Sequence, residues 1–233
     1  MDVGTIARLW RYPVKSMRGE PCQRLTLDAG GVVGDRRFAV RDAAGKLGSG
    51  KTTRRFRQID GLLAFSAAYR GDVPEIAFPD GRRLPADDPS IDAALSDALG
   101  AALTLARETD VAHLDAGAMH LVTTASLAWL AAILPDGGID ERRFRPNVVV
   151  DVAGDGQVER DWVGRILHVG PTVVLRVTGL TQRCRMVTLA QENLPDDARI
   201  LTTLARDPDV AFGVYAAVVT PGVIERGDVL ADR

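Results

Sequence analysis

The residues best suited to chemistry lie in five short segments that concentrate a thiol, hydroxyls and cationic side chains. Thr181-Gln182-Arg183-Cys184-Arg185-Met186 sets a cysteine between two arginines. Neighbouring positive charge favours the thiolate, which binds soft metals and can also carry sulfur as a persulfide. In Tyr12-Pro13-Val14-Lys15-Ser16 the proline fixes the backbone just before Lys15, and Ser16 adds a hydroxyl. Gly34-Asp35-Arg36 reads as a tight turn that projects an arginine. Thr123-Thr124-Ala125-Ser126 puts hydroxyls at a predicted helix N-terminus, where unpaired N–H groups attract anions. In Arg142-Arg143-Phe144-Arg145-Pro146-Asn147, Pro146 pushes Arg145 out of helical geometry, and Asn147 both donates and accepts. Each segment has a structural alternative. Cys184 can be a buried, inert thiol, Lys15 a solvated charge, and Arg36 the partner of Asp35. The hydroxyls before Leu127 can be ordinary helix caps, and Arg142 to Arg145 a solvated loop.

One motif points elsewhere. Residues 45–52 read GKLGSGKT, which satisfies the phosphate-loop pattern, and Val148-Val149-Val150-Asp151 echoes the apolar strand that ends in a magnesium-linked aspartate. A nucleotide binder using Gly45 to Thr52 is therefore an alternative. The motif requires a buried parallel strand before it and a helix after it. RRFAVRDAAG is instead polar at alternate positions, and TRRFRQIDG makes a poor first helix. The expectation is a basic hairpin loop near a pocket rim. Lys51, Arg54, Arg55 and Arg57 then flank the mouth, dock an acidic redox protein, or are simply solvated. His113, His120 and His168 lack metal-ligand spacing and read as structural, with His120 near the pocket. Cys22 reads as a packed thiol.

The elements that must position these groups are mostly strands. Val3 to Trp10, Cys22 to Leu27 and Phe38 to Arg41 read as strands, with turns at Gly30-Gly31 and Asp42 to Gly45. Pro74 to Leu84 reads as a hairpin with Asp80-Gly81 at its tip. Ile91, Leu95 and Leu99 recur every four residues, so Asp87 to Leu99 is a predicted amphipathic helix. Thr123 to Leu134 is a second helix, capped by Thr123 or Thr124 and ended by Pro135 to Gly138. Asp196 to Arg206 is a third. Val148 to Val152, Arg165 to Val169, Val173 to Val177 and Val214 to Val219 are short strands. The pattern predicts an α+β fold with mostly antiparallel, barrel-like sheets. With 233 residues, 46% apolar, 26% charged and a formal net charge of −2, the chain suits one large or two small packed globular units. No global field favours nucleic acid or membrane. No apolar run approaches the roughly 20 residues that span a bilayer, and Arg8 and Arg11 interrupt the apolar N-terminus, so no signal peptide is read. Two cysteines make no disulfide framework. A soluble, reducing, cytoplasmic setting follows as the expectation.

Taken together, these segments resemble the MOSC family, named for the C-terminal domain of molybdenum-cofactor sulfurases. YPVKS and GDR resemble markers of the N-terminal β-barrel that accompanies many such domains. TTASL, RFRPN, Asp161-Trp162, RCRMVT and PGVIERGD resemble the MOSC core. The resemblance implies an N-terminal β-barrel-like subdomain over 1–110, packed tightly on a mostly antiparallel barrel core over 111–233. It implies the molybdenum cofactor (Mo-molybdopterin), with Cys184 as the metal ligand and catalytic residue. Lys15, Ser16 and Arg36 then hold phosphate and pterin, Thr124 and Ser126 contact the same ligand, and Arg145 and Asn147 hold the pterin side; Arg183 also binds the cofactor. Members include reductases of N-hydroxylated compounds and domains that carry activated cofactor. The implied activity is a molybdenum oxidoreductase acting on N-hydroxylated or N-oxide small molecules. The alternative is a non-redox cofactor or sulfur carrier that uses a Cys184 persulfide. Thr181 stands where some relatives have a second cysteine, and no cysteine cluster precedes Arg233. Electrons are therefore expected from a separate donor protein.

Overall fold

The computed structural model describes residues 2–109 and 112–232. In chain order the first elements are β1 (Asp2–Arg11), β2 (Glu20–Cys22), β3 (Arg24–Asp28), β4 (Gly31–Val32), β5 (Phe38–Asp42), β6 (Leu47–Ser49) and β7 (Phe56–Gln58). Then come β8 (Ser66–Arg70), β9 (Val73–Ala77), β10 (Arg83–Pro85), α1 (Ile91–Leu99) and β11 (Leu103–Arg107). The rest are β12 (Met119–Thr123), α2 (Thr124–Ile133), β13 (Val148–Asp151), β14 (Ile166–Val169), β15 (Val173–Gln182), α3 (Arg199–Leu204), β16 (Ala211–Thr220), β17 (Gly222–Glu225) and β18 (Val229–Asp232).

A closed barrel forms the larger unit. Its strands run β13-β12-β16-β15-β14-β18-β1, and β1 pairs back onto β13. Only β12 and β13 are parallel, with α2 as their crossover; the other pairs are antiparallel. Along β15 buried residues alternate with more exposed ones, as the period of two requires of a half-buried strand. The inward set, including Ile6, Leu121, Val150, Leu175, Val214 and Leu230, fills the barrel. Closure leaves the sheet no free edge along this ring. The smaller unit wraps two sheets, β11-β5-β6-β7 and β10-β9-β8, around a second core with Val40, Phe65, Ile76, Phe78 and Leu95. α1 presents Ile91, Ala94 and Leu95 to that core. The architecture is thus the mostly β, barrel-based one expected, with few helices.

Several local expectations shift. β1, from the start of the chain, pairs with both β13 and β18 and so closes the barrel of the C-terminal strands. The strand expected over 22–27 breaks at Gln23, because β2 pairs with β1 while β3 leaves to pair with β17. The first helix starts only at Ile91, since Asp88 accepts from the backbone and hydroxyl of Ser90 (2.8 and 2.6 Å) and holds a turn there. The third helix shrinks to α3, which follows the Asp197 carboxylate capping Arg199 N at 3.0 Å. β15 is twice as long as its apolar run, because Gly179 and polar residues continue the ladder.

The phosphate-loop reading is overturned. Leu47–Ser49 pairs with β5 on one side and β7 on the other, and β7, a strand, follows the loop. With no helix after the glycines, no helix N-terminus faces a phosphate there.

Candidate functional site

Backbone hydrogen bonds first bring YPVKS and GDR together. Tyr12 N donates to Asp35 Oδ1 (2.7 Å), Arg36 N to Tyr12 O (2.7 Å), and Lys15 N to Phe38 O (2.8 Å). This zipper lies against the turn that holds Arg145. Tyr12 is buried, and its ring is covered by the Arg36 and Arg145 guanidinium carbons at 5.0 and 4.3 Å from the centroid. Arg36 also pairs with Asp35 and reaches Arg145 O at 3.4 Å. Five described non-glycine residues have positive φ, and three of them are Ser16 (64°), Arg36 (51°) and Arg145 (56°). Side chains rarely adopt this region, and such strain gathers where a site fixes its geometry.

These residues line one cavity of about 550 Å³, a size that suits a small ligand. Its wall includes Lys15, Ser16, Arg36, Arg145, Arg183 and Cys184. Cys184 is half-buried and begins the short turn Arg185–Thr188. Arg183 is fixed from behind: its guanidinium donates to Phe212 O (2.9 Å from Nε) and Phe144 O (3.1 Å from Nη1). It also meets the His120 ring, which burial and then Arg183 push far below the ordinary histidine pKa. His120 is thus a neutral acceptor. Gly213 (φ +83°) is required here, because a Cβ at that position would collide with the His120 ring.

The cavity is cationic at a cost. Lys15 is only 3% exposed, and burial lowers its pKa from 10.5 to about 8. Its ammonium donates to His113 O (2.9 Å) and to Asp115 Oδ1 (2.6 Å), whose side chain is 59% exposed. Burial lowers Arg145 and Arg183 to about 10, so both stay charged at neutral pH. Arg145 Nη2 and Thr181 Oγ1, both in wall residues, are buried without a partner among the described residues. Orphaned buried donors of this kind mark groups that a ligand can satisfy.

Three expected site residues face elsewhere. Thr124 Oγ1 donates to Asp151 Oδ1 at 2.9 Å. Ser126 Oγ donates to Glu159 Oε2 at 2.6 Å, as does the capping Thr123 hydroxyl at 2.7 Å. The start of α2 therefore already holds a protein carboxylate, which takes the place expected for ligand phosphate. Asn147 Oδ1 accepts from His120 N (3.1 Å) and its Nδ2 donates to Trp10 O (3.4 Å), so it fixes the backbone behind the cavity. None of the three lines it. Among residues not singled out from sequence, Asp115, Tyr215 and Met186 do line it. Asp115 and Tyr215 sit in segments without any motif. Met186 was inside one, masked by its arginines and cysteine.

Comparison with known proteins decides the family. Residues 108–231 match the MOSC domain, and residues 3–126 match the MOSC N-terminal beta barrel domain. The chain belongs to the MOSC family. No curated protein matches the sequence. The crystal structure of the YuaD protein from Bacillus subtilis is similar in fold, with 14% identity, a TM-score of 0.50, and coverage of 97% of this chain and 93% of that one. YiiM from Geobacillus stearothermophilus matches over 50% of this chain and 55% of its own, with 21% identity and a TM-score of 0.36.

MOSC proteins form a molybdenum-cofactor-associated family, and the cavity fits such a group. A pterin with a phosphate tail is flat, polar and anionic at one end, and planar guanidinium donors with a lysine point charge are the matching chemistry. Among the described residues, no group of three or more His, Cys, Asp or Glu side chains could hold a metal ion. No helix among the described residues is long and apolar enough to cross a membrane.

Proposed function

We propose that this MOSC protein is a molybdenum-cofactor-dependent oxidoreductase, with Cys184 as the protein's metal ligand, that reduces N-hydroxylated or N-oxide small molecules. One observation supports this most: a single cavity wall carries the Cys184 thiol together with Lys15, Arg36, Arg145 and Arg183. A soft ligand and several cations in one wall match the soft metal and the anionic tail of the cofactor.

The bound cofactor supplies the redox chemistry. The chain supplies position and charge. Lys15 holds the anionic tail as a point charge, and Arg36 and Arg145 present planar donors from backbone fixed at positive φ. Arg183, pinned by the Phe212 and Phe144 carbonyls, holds the wall beside Cys184 in place. Tyr215 keeps its proton at Oη, because burial raises its pKa, so it presents a neutral hydroxyl to the cavity. Removing oxygen from an N–OH group consumes two electrons and two protons and releases water. The electrons come from a separate donor protein in this reading.

The test is metal and pterin analysis of protein made in a cofactor-competent host, with turnover under an artificial electron donor. Stoichiometric molybdenum and turnover are expected, and Cys184→Ala is expected to keep the fold while losing metal-dependent activity. Full activity in Cys184→Ala refutes the assignment. Cofactor retained with no turnover replaces it with a carrier role.

A further inference from the structure

A second recess, of about 470 Å³, opens beside the cationic cavity. The two share Ser16, Ser49 and Met186 as common walls. Their chemistry differs sharply. Ile59, Leu62, Leu63, Ala64 and Leu189 supply an apolar lining, with Leu62 and Leu63 buried beneath it. Carboxylates stand in its wall. Glu192 is neutralised by Arg18 and Arg142, while Asp60 contacts only the Gln58 amide (3.0 Å) among the described residues, and Asp196 makes no ion pair among them. Arg185 is the lining cation. Met186 forms the partition, and Gly50 lets it lie close: a Cβ on Gly50 would stand 2.6 Å from the Met186 sulfur. Methionine is unbranched and adaptable, so this wall can yield to ligands of different shape.

We propose that this groove receives the body of the substrate, and that it selects apolar, non-anionic small molecules whose N–O group reaches past Met186 toward Cys184. The inference rests on the cofactor filling the cationic cavity, as proposed above. The groove is then the apolar space that adjoins the filled cavity across Ser16, Ser49 and Met186. Burial of an aryl or alkyl body against these side chains supplies affinity, at about 25 cal/mol per Å² of apolar surface removed from water. Asp60 and Asp196 repel an anionic substituent and tolerate a cationic one.

The test uses the full chain and para-fluorophenylhydroxylamine as the probe, with binding read by fluorine NMR and turnover read separately. Ala64 is exposed and lies outside the cationic cavity, so Ala64→Trp blocks the groove without touching the cofactor wall. Expected in Ala64→Trp are at least tenfold weaker probe binding and unchanged molybdenum content. Asp60→Lys with Asp196→Lys is expected to favour para-carboxyphenylhydroxylamine over its trimethylammonium counterpart, reversing the wild-type order. Probe binding that is equal in wild type and Ala64→Trp overturns the proposal, as does no probe binding to molybdenum-loaded wild type. Loss of molybdenum from wild type speaks instead against the cofactor reading, while the NMR measurement still tests the groove.

Discussion

Lys15 offers the sharpest test of the anion site, because its ligand-binding and folding effects have opposite signs. Burial drops its pKa from 10.5 to about 8, with Asp115 opposing the shift and Arg36 and Arg145 adding to it. At 1.36 kcal/mol per pH unit, keeping the ammonium charged at this buried position costs the fold about 3 kcal/mol. The sign follows from linkage. Between pH 8 and 10.5 the unfolded chain holds the Lys15 proton more tightly than the folded one, so this group makes stability rise with pH across that window. Lys15→Met removes the cost and takes one hydrogen bond each from Asp115 Oδ1 and His113 O, which offsets part of the gain. The variant is expected to be up to about 3 kcal/mol more stable below pH 8, with Tm higher by about 2–4 °C per kcal/mol. It is also expected to bind the anionic ligand more weakly, by about 1.5–3 kcal/mol for the lost charged hydrogen bond. In wild type, a phosphate beside Nζ raises the pKa again. Affinity then falls by up to tenfold per pH unit above about pH 8 as Lys15 loses its proton. Thermal unfolding of cofactor-free wild type and Lys15→Met, with and without inorganic phosphate and across this pH range, reads all of these terms. A variant that melts lower than wild type without phosphate, yet responds equally to phosphate, would refute the reasoning.

The remaining predictions separate site from scaffold. Arg145→Gly relieves the positive φ while Arg145→Ala does not, so the glycine variant should be the more stable by about 1 kcal/mol. Both should lose bound molybdenum on dialysis, and normal occupancy in both would count against the pocket. Ser126→Ala removes a hydrogen bond to the buried Glu159 carboxylate and should cost about 1.5–3 kcal/mol in denaturant unfolding. Its molybdenum content should match wild type; a selective loss of metal would return Ser126 to the site.

The parts of the site legible in sequence were those set by local chemistry. Pro13, Gly34 and Pro146 announce fixed backbone beside Lys15, Arg36 and Arg145, and all three cations do reach one cavity. The TTAS hydroxyls were legible as a cap, and Thr123 is one, accepting from Ser126 N at 3.1 Å. What they serve was not legible, because Glu159 arrives from a turn more than thirty residues later. Asn147 misled for a similar reason: its amide is needed between His120 and Trp10, a pairing set by barrel closure. Closure itself was hidden, since nothing in β1 says that it pairs with both β13 and β18. The positive φ of Ser16, Arg36 and Arg145 was equally hidden, because no glycine marks those positions.

Asp115 offsets part of the positive charge that faces the cavity. Its carboxylate comes from an exposed segment and meets Lys15 at 2.6 Å, while the neighbouring carbonyls of His113 and Leu114 take hydrogen bonds from Lys15 and Arg55 (both 2.9 Å). Burial tends to raise the Asp115 pKa, yet Lys15, Arg36 and Arg145 together hold it below the ordinary value. It is thus an internal anion held among the cavity's cations. A phosphate must compete with it, which lowers apparent affinity, and the competition ends if the carboxylate is removed. Asp115→Asn should therefore bind phosphate more tightly than wild type and be less stable without it, since Lys15 loses its counterion. Weaker phosphate binding in Asp115→Asn would mean that the carboxylate positions Lys15 for the ligand, in which case Asp115 belongs to the binding machinery.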